Sequence, residues 1–295
     1  MIIRTVLGDI APEALGPCDA HEHLFLVTPA QPGDEFADVD LALAEAATLV
    51  AAGGRALVDW TPIGLGRDLD GLARIASATG LNIVAATGLH RDPHYAAHDP
   101  LREEPEEALA ERFATELARC GILKVGAGYH AVSSFEAKAI AAAAIAHGRV
   151  GAPVCVHTEH GTMGLRLVQR LQTDGVDPSS VVLAHLDRNP DAGEHAETAA
   201  AGAWLQFDGP GRTKYWPDST ILTLIADLAR RGHADRILLG GDTGRASMMR
   251  AYGGGPGLDY LFAHFKPRLE RELGHELSQQ LFVRNPAHAF AFSPR

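Results

Sequence analysis

Eight times along this chain a short apolar run is followed by a stretch with helical periodicity, and few folds accommodate that rhythm. The runs are CDAHEH near 18–23, ALVDW at 56–60, NIVAATG at 82–88, ILKVGAG at 122–128, PVCVHTE at 153–159, VVLAHLD at 181–187, AWLQFDG at 203–209 and ILLGGD at 237–242. Most are β-branched and lack polar alternation, as in strands buried on both faces of a parallel sheet. Between them lie helical stretches such as DLALAEAATLVAAGG at 40–54, PEEALAERFATELARCG at 105–121 and TILTLIADLARRGH at 220–233. Several end in Gly, the usual residue just past a helix C-terminus. Strand then helix, eight times in 295 residues, predicts an α/β fold, a single (β/α)8 TIM barrel. An open doubly wound sheet is the competing arrangement. Against it, the first strand carries no G-x-G-x-x-G fingerprint. We find no linker or second domain and read residues 1–295 as one barrel domain.

In such barrels chemistry sits at the C-terminal strand ends. There the chain places His21 and His23 on strand one, Lys124 on strand four, His157 on five, His185 on six and Asp242 on eight. Each has an ordinary alternative. With 15 His in the chain, a His-x-His arises about once by chance. His157 or His185 alone could be a satisfied polar residue, and Asp242 could cap a helix. Lys124 is harder to explain away, because it sits among Ile122, Leu123 and Val125, and a buried ammonium is costly unless paired or neutralised. Four histidines, an aspartate and a buried lysine at one end of five strands read together as a transition-metal site, zinc first, with manganese or cobalt as alternatives. Alternation along the strand puts His21 and His23 on one face and turns Glu22 away.

The formal charge of −11 gives no basic surplus for nucleic acid, and an acidic surface tends to repel anionic membranes. Cys18, Cys120 and Cys155 are widely spaced and odd in number, which fits a reducing, cytoplasmic setting. No secretory signal and no apolar run of membrane-spanning length is evident.

The loop after strand seven contains Arg212, Lys214, Tyr215 and Trp216; that after strand eight contains Arg245, Met248, Met249, Tyr252 and three glycines at 253–255. With Arg91 and Arg188, Lys214 and Arg245 ring the expected mouth and suggest an anionic substrate. Tyr215 could stack on a sugar ring, Trp216 is expected to pack its loop, and the glycines suggest a segment able to close over substrate. His90 is expected to face the pocket, and His94 and His98 the surface.

Over essentially its whole length the chain resembles the phosphotriesterase family of the amidohydrolase superfamily. The resemblance is carried, in order, by TVLGDIAPEALG leading into HEHLF, GILKVGAG, VHTE, AHLDR, GGDTGR and VRNPAHAF. It implies a binuclear metal centre. His21, His23 and Asp242 would hold the more buried ion, and His157 and His185 the more exposed one. Lys124 would bridge both as N6-carboxylysine, with a hydroxide as the second bridge. Asp242 would take the proton as hydroxide attacks and deliver it to the leaving group. It implies hydrolysis of a triester or a lactone, and a homodimer. Loop eight, rich in small residues with Tyr252 as its one aromatic, offers little lining for a long acyl chain and tilts the expectation to a small polar or phosphorylated sugar lactone, with Lys214, Arg245, Tyr215 and His90 as candidate substrate-binding residues. The alternatives are a phosphotriesterase, an acyl-homoserine lactonase, or a non-catalytic ligand-binding protein on the same fold.

Overall fold

A computed structural model describes all residues, 1–295. The chain opens with an antiparallel hairpin, β1 (Ile3–Thr5) and β2 (Gly8–Ile10), too short to leave a periodic signal in the sequence. Eight parallel strands follow: β3 (Cys18–Glu22), β4 (Ala56–Asp59), β5 (Asn82–Gly88), β6 (Ile122–Ala127), β7 (Val154–Thr158), β8 (Val181–Ala184), β9 (Trp204–Phe207) and β10 (Ile237–Leu239). Each pairs with the next in sequence order, as the eight apolar runs predict. The ring closes where Asp242 N donates to His21 O at 2.8 Å. The result is the expected (β/α)8 barrel.

Side chains alternate across the barrel wall. Val58, Val84, Ile122, Cys155, Val182 and Leu238 fill the interior. Leu57, Ile83, Leu123, Val154, Leu183 and Leu239 pack outward against helices. The helices include α1 (Val39–Ala51), α2 (Leu69–Thr79), α3 (Glu106–Glu116), α4 (Ser134–Val150), α5 (Gly164–Thr173), α6 (Ala192–Ala200), α7 (Asp218–Arg230) and α8 (Lys266–Leu273). Their starts are specified locally. Asp38, Asp68 and Asp191 cap α1, α2 and α6, and Ser133 with Glu136 forms a capping box on α4. α2 and α4 stop at Gly80 and Gly151 in left-handed conformation. α3 ends at Glu116, before the Gly121 that its sequence pattern suggested.

Both chain ends lie at the floor, where the strands begin. Ile2 N donates to Phe292 O at 2.8 Å and Phe292 N to Ile2 O at 2.9 Å. Ile3, Leu15 and Phe290 join the interior cluster. No helix is long and apolar enough to cross a membrane.

Candidate metal centre

The pairing of β3 with β4 slips register between Asp19 and Glu22, an irregularity of the kind that re-aims side chains at a barrel rim. Past it, His21 and His23 both present Nε2 to Asp242 Oδ1, each at 3.6 Å. Glu22 points elsewhere, accepting hydrogen bonds from Thr243 N (2.8 Å) and Thr243 Oγ1 (3.0 Å), so the expectation from alternation holds. His185 follows β8 with φ +66°, and Asp242 follows β10 with φ +47°. These are left-handed conformations that non-glycine residues rarely hold, and they cluster at sites where geometry must be exact in direction. Lys124 reaches the same space from β6. Gly88 makes room beside it, since a Cβ there would meet the Lys124 carbonyl oxygen at 2.0 Å.

Each histidine has one ring nitrogen committed to an acceptor. His21 Nδ1 lies 3.0 Å from Asp208 Oδ2, and His185 Nδ1 lies 2.6 Å from Asp208 Oδ1. His157 Nε2 lies 2.8 Å from Glu159 Oε2. His23 Nδ1 lies 2.8 Å from Thr61 Oγ1, whose own proton goes to Phe25 O. Those four nitrogens carry the protons, so His21 Nε2, His23 Nε2, His157 Nδ1 and His185 Nε2 are left with lone pairs. Two of them, His157 Nδ1 and His185 Nε2, face each other at 2.7 Å, and buried His21 Nε2 has no partner. Converging lone pairs without donors ask for cations between them, and the residues present fit divalent metals. Burial holds all four imidazoles well below their ordinary pKa, in the neutral form a ligand needs.

Lys124 is buried, with Nζ 4.7 Å from the centre of the Trp60 ring, and it makes no ion pair or side-chain hydrogen bond. Burial pushes its ammonium down to about 7. A good part of it is therefore the free amine near neutral pH, the form that can add CO₂ and become an anion.

The six candidate ligands and the four candidate substrate-binding residues, Lys214, Arg245, Tyr215 and His90, border one cavity of about 310 Å³. The loop cations differ from expectation in their partners. Arg245 pairs with Asp34 at 3.2 Å, and Lys214 is exposed, 4.8 Å from the Tyr215 ring centre. Tyr215 carries Arg188 at 4.6 Å, so a guanidinium already lies against its ring. Arg91 is tied to Glu159. His90 lies in the pocket as expected, 4.7 Å from the His157 ring.

Several expectations need correction. His94 is no surface residue. It packs on His90 at 4.0 Å and lines the cavity, because a 3₁₀ turn folds 92–94 back over the mouth. Trp216 is 39 % exposed and only its Nε1 is tied, to Arg188 O at 3.2 Å. Glycines 253–255 are pinned, with Gly254 N donating to Met249 O at 2.9 Å and Gly255 N to Ser247 O at 3.1 Å. A Cβ on Gly254 would meet Ser247 O at 2.0 Å, so close packing accounts for that glycine.

Sequence reasoning missed Asp208, Thr61 and the partners of Asp242. Arg188 Nη2 lies 2.9 Å from Asp242 Oδ2, and Arg212 pairs with the same oxygen. Asp208 carried one available signal, its place at a strand end; Thr61 carried none.

The barrel and this cluster define a metal-dependent hydrolase. The chain belongs to the phosphotriesterase family, whose model matches residues 1–290. It is 32% identical over 326 aligned positions to a phospho-furanose lactonase of Mycoplasmopsis synoviae, covering 99% of this chain and 92% of the relative. A solved lactonase of Listeria monocytogenes superposes with TM-score 0.94 at 32% identity, covering 99% of this chain and 100% of the other. A mutant organophosphorus hydrolase of Deinococcus radiodurans superposes with TM-score 0.86 at 29% identity, covering 99% and 98%.

Proposed function

We propose that the chain is a metal-dependent lactonase acting on a small anionic lactone, with a phosphorylated furanose lactone as the substrate class. The observation that carries this reading is a polar, cation-rimmed cavity around four neutral imidazoles. Arg188, Arg212, Lys214 and Arg245 line it, whereas its apolar members are Leu26, Ala30, Trp60, Leu65, Tyr215 and two prolines, Pro62 and Pro93. Met249 and Tyr252 of loop eight turn away, Met249 into the core and Tyr252 to Asp38 N at 3.1 Å. That leaves little lining for a long acyl chain or for the apolar arms of a triester. The triesterase reading keeps one supporting observation, the likeness to the Deinococcus radiodurans organophosphorus hydrolase.

In this reading His21, His23 and Asp242 would hold one divalent ion and His157 and His185 another, zinc before manganese or cobalt. Lys124 would serve as a ligand in its carbamate form, made when the amine adds CO₂ and releases a proton. The ions, when bound, supply Lewis acidity and lower the pKa of water. The rest is the work of side chains. Asp242 Oδ1 faces the histidines while Oδ2 is held by Arg188 and Arg212. A carboxylate so flanked is a weak base, and a proton it takes from water passes readily to the leaving alkoxide. The product is the open hydroxy acid. Lys214 and Arg245 hold the anionic group, and His90 borders the ring. Residues 1–295 act as one domain in this reading, and as a homodimer; a cytoplasmic setting agrees with the three free, buried cysteines.

The test is turnover by purified protein on phosphorylated and neutral furanose lactones, acyl-homoserine lactones and paraoxon. We expect kcat/KM on the phosphorylated lactone to lead; a lead for paraoxon overturns the reading. Chelation should abolish turnover, and Zn, Mn or Co should restore it. Lys214→Ala and Arg245→Ala should each raise KM about 10-fold for the phosphorylated lactone, the usual worth of a charge-assisted hydrogen bond at a partly exposed site, and should barely change it for the neutral one.

A further inference from the structure

One carboxylate serves both halves of the centre. Asp208, fully buried just after β9, accepts at Oδ2 from His21 Nδ1 (3.0 Å) and from the backbone N of His185 (3.0 Å). At Oδ1 it accepts from His185 Nδ1 (2.6 Å). Asp208 N is itself fixed, donating to Asp187 Oδ1 at 3.0 Å. We propose that Asp208 is a positioning residue whose two oxygens set the tautomers of His21 and His185 together, and thereby decide whether the His157/His185 position can take a metal. The proposal rests on the metal-dependent reading of the site.

The argument is one of proton counting. A carboxylate accepts at both oxygens, so both imidazoles carry their proton on Nδ1 and leave Nε2 free. An amide of the same shape has one accepting oxygen and one donating NH₂. The backbone N–H of His185 cannot change, so the amide oxygen must take the Oδ2 place, where His21 also donates. The NH₂ then faces His185 Nδ1, which has to become an acceptor. His185 shifts its proton to Nε2, and Nε2 donates to His157 Nδ1, already 2.7 Å away. That internal hydrogen bond occupies both nitrogens that would ligate the second ion. The His21/His23/Asp242 position keeps its tautomers. Asp208→Asn therefore closes one half of the centre and leaves the other open. A carboxylate that merely filled space would show no such asymmetry.

The experiment is zinc titration of wild type and Asp208→Asn by calorimetry, with bound metal counted after gel filtration. ¹⁵N histidine spectra of the metal-free proteins supply the tautomers. We expect two zinc ions in wild type and one in the variant, with a new His185 Nε2–H in the variant's spectrum. Two ions retained, both lost, or an unchanged tautomer overturns the proposal. Wild type that binds no zinc overturns the metal reading itself, while the metal-free spectra still test the tautomer step. If Asp208→Asn does not fold, Asp208→Ala takes its place. It removes the acceptor without adding a donor, and should weaken zinc at both positions by about 10-fold or more, the usual cost of losing an outer partner of a ligating histidine. Undiminished affinity at either position overturns the proposal.

Discussion

Asp242→Asn should lower kcat/KM for lactone opening by about 10³-fold or more, within the range expected when a group that relays a proton in the transition state is removed. The amide cannot take the proton, and it would be a poorer ligand for a metal held with His21 and His23. Asparagine is the cleaner substitution for two reasons visible in the structure. Residue 242 sits at φ +47°, which Asn tolerates better than Ala. Arg188 and Arg212 both lean on Asp242, and their side chains are only 6% and 8% exposed. Asp242→Ala would leave two buried guanidiniums facing an empty space, and losing one partner of a buried ion pair costs about 3–5 kcal/mol. Steady-state kinetics beside thermal unfolding of both variants separates the effects. Loss of activity with little change in Tm is expected for Asn, and loss of both for Ala. An Asn variant within tenfold of wild type would remove Asp242 from the reaction.

Lys124→Met should abolish turnover and yet stabilise the metal-free protein at neutral pH. In the proposed centre the carbamate of Lys124 would be a metal ligand, so without the lysine metal binding should weaken sharply. The stability effect has the opposite sign. Burial lowers the folded-state pKa of Lys124 from 10.5 to about 7. Below about pH 7 the ammonium is charged in both states, and its burial destabilises the fold by the full amount. Between there and 10.5 the unfolded chain binds the extra proton, so the penalty shrinks as pH rises and vanishes above 10.5. Methionine has no charge to bury. In metal-free, CO₂-depleted buffer the variant's unfolding free energy at pH 7, from denaturant titration, should exceed wild type's by several kcal/mol, with the gap closing toward pH 10. A variant less stable than wild type at pH 7 would mean that the lysine is paired in a way the structure does not contain.

The barrel was legible because its evidence is local. Runs such as VVLAHLD and ILLGGD are short, apolar and bounded by turn residues, and each became a strand within a few residues of its expected place. The candidate ligands were legible for the same reason, since strand ends face the mouth in this fold. What stayed hidden depends on long-range contact. Arg245 meets Asp34, which lies 211 residues earlier, and nothing near either residue announces the pair. Arg212 and Lys214 stand two residues apart on one loop, but only Arg212 folds inward onto Asp242. Asp208 sits at the end of a run read only as a strand, and its importance comes from two histidines 187 and 23 residues away. The triple glycine suggests motion from composition alone, whereas its amides are held by carbonyls of residues 247, 249 and 250.

The paired ends of the chain at the barrel floor have a practical bearing. Ile2 and Phe292 bond to each other on the face opposite the mouth. In topology the molecule is close to a ring with a single cut. A short tether across that cut would join its ends on the far side of the barrel from the entering lactone, and new ends could be opened in a surface turn without touching the site. A carrier surface or fusion partner attached at either end would likewise stand at the back, leaving the mouth facing solvent.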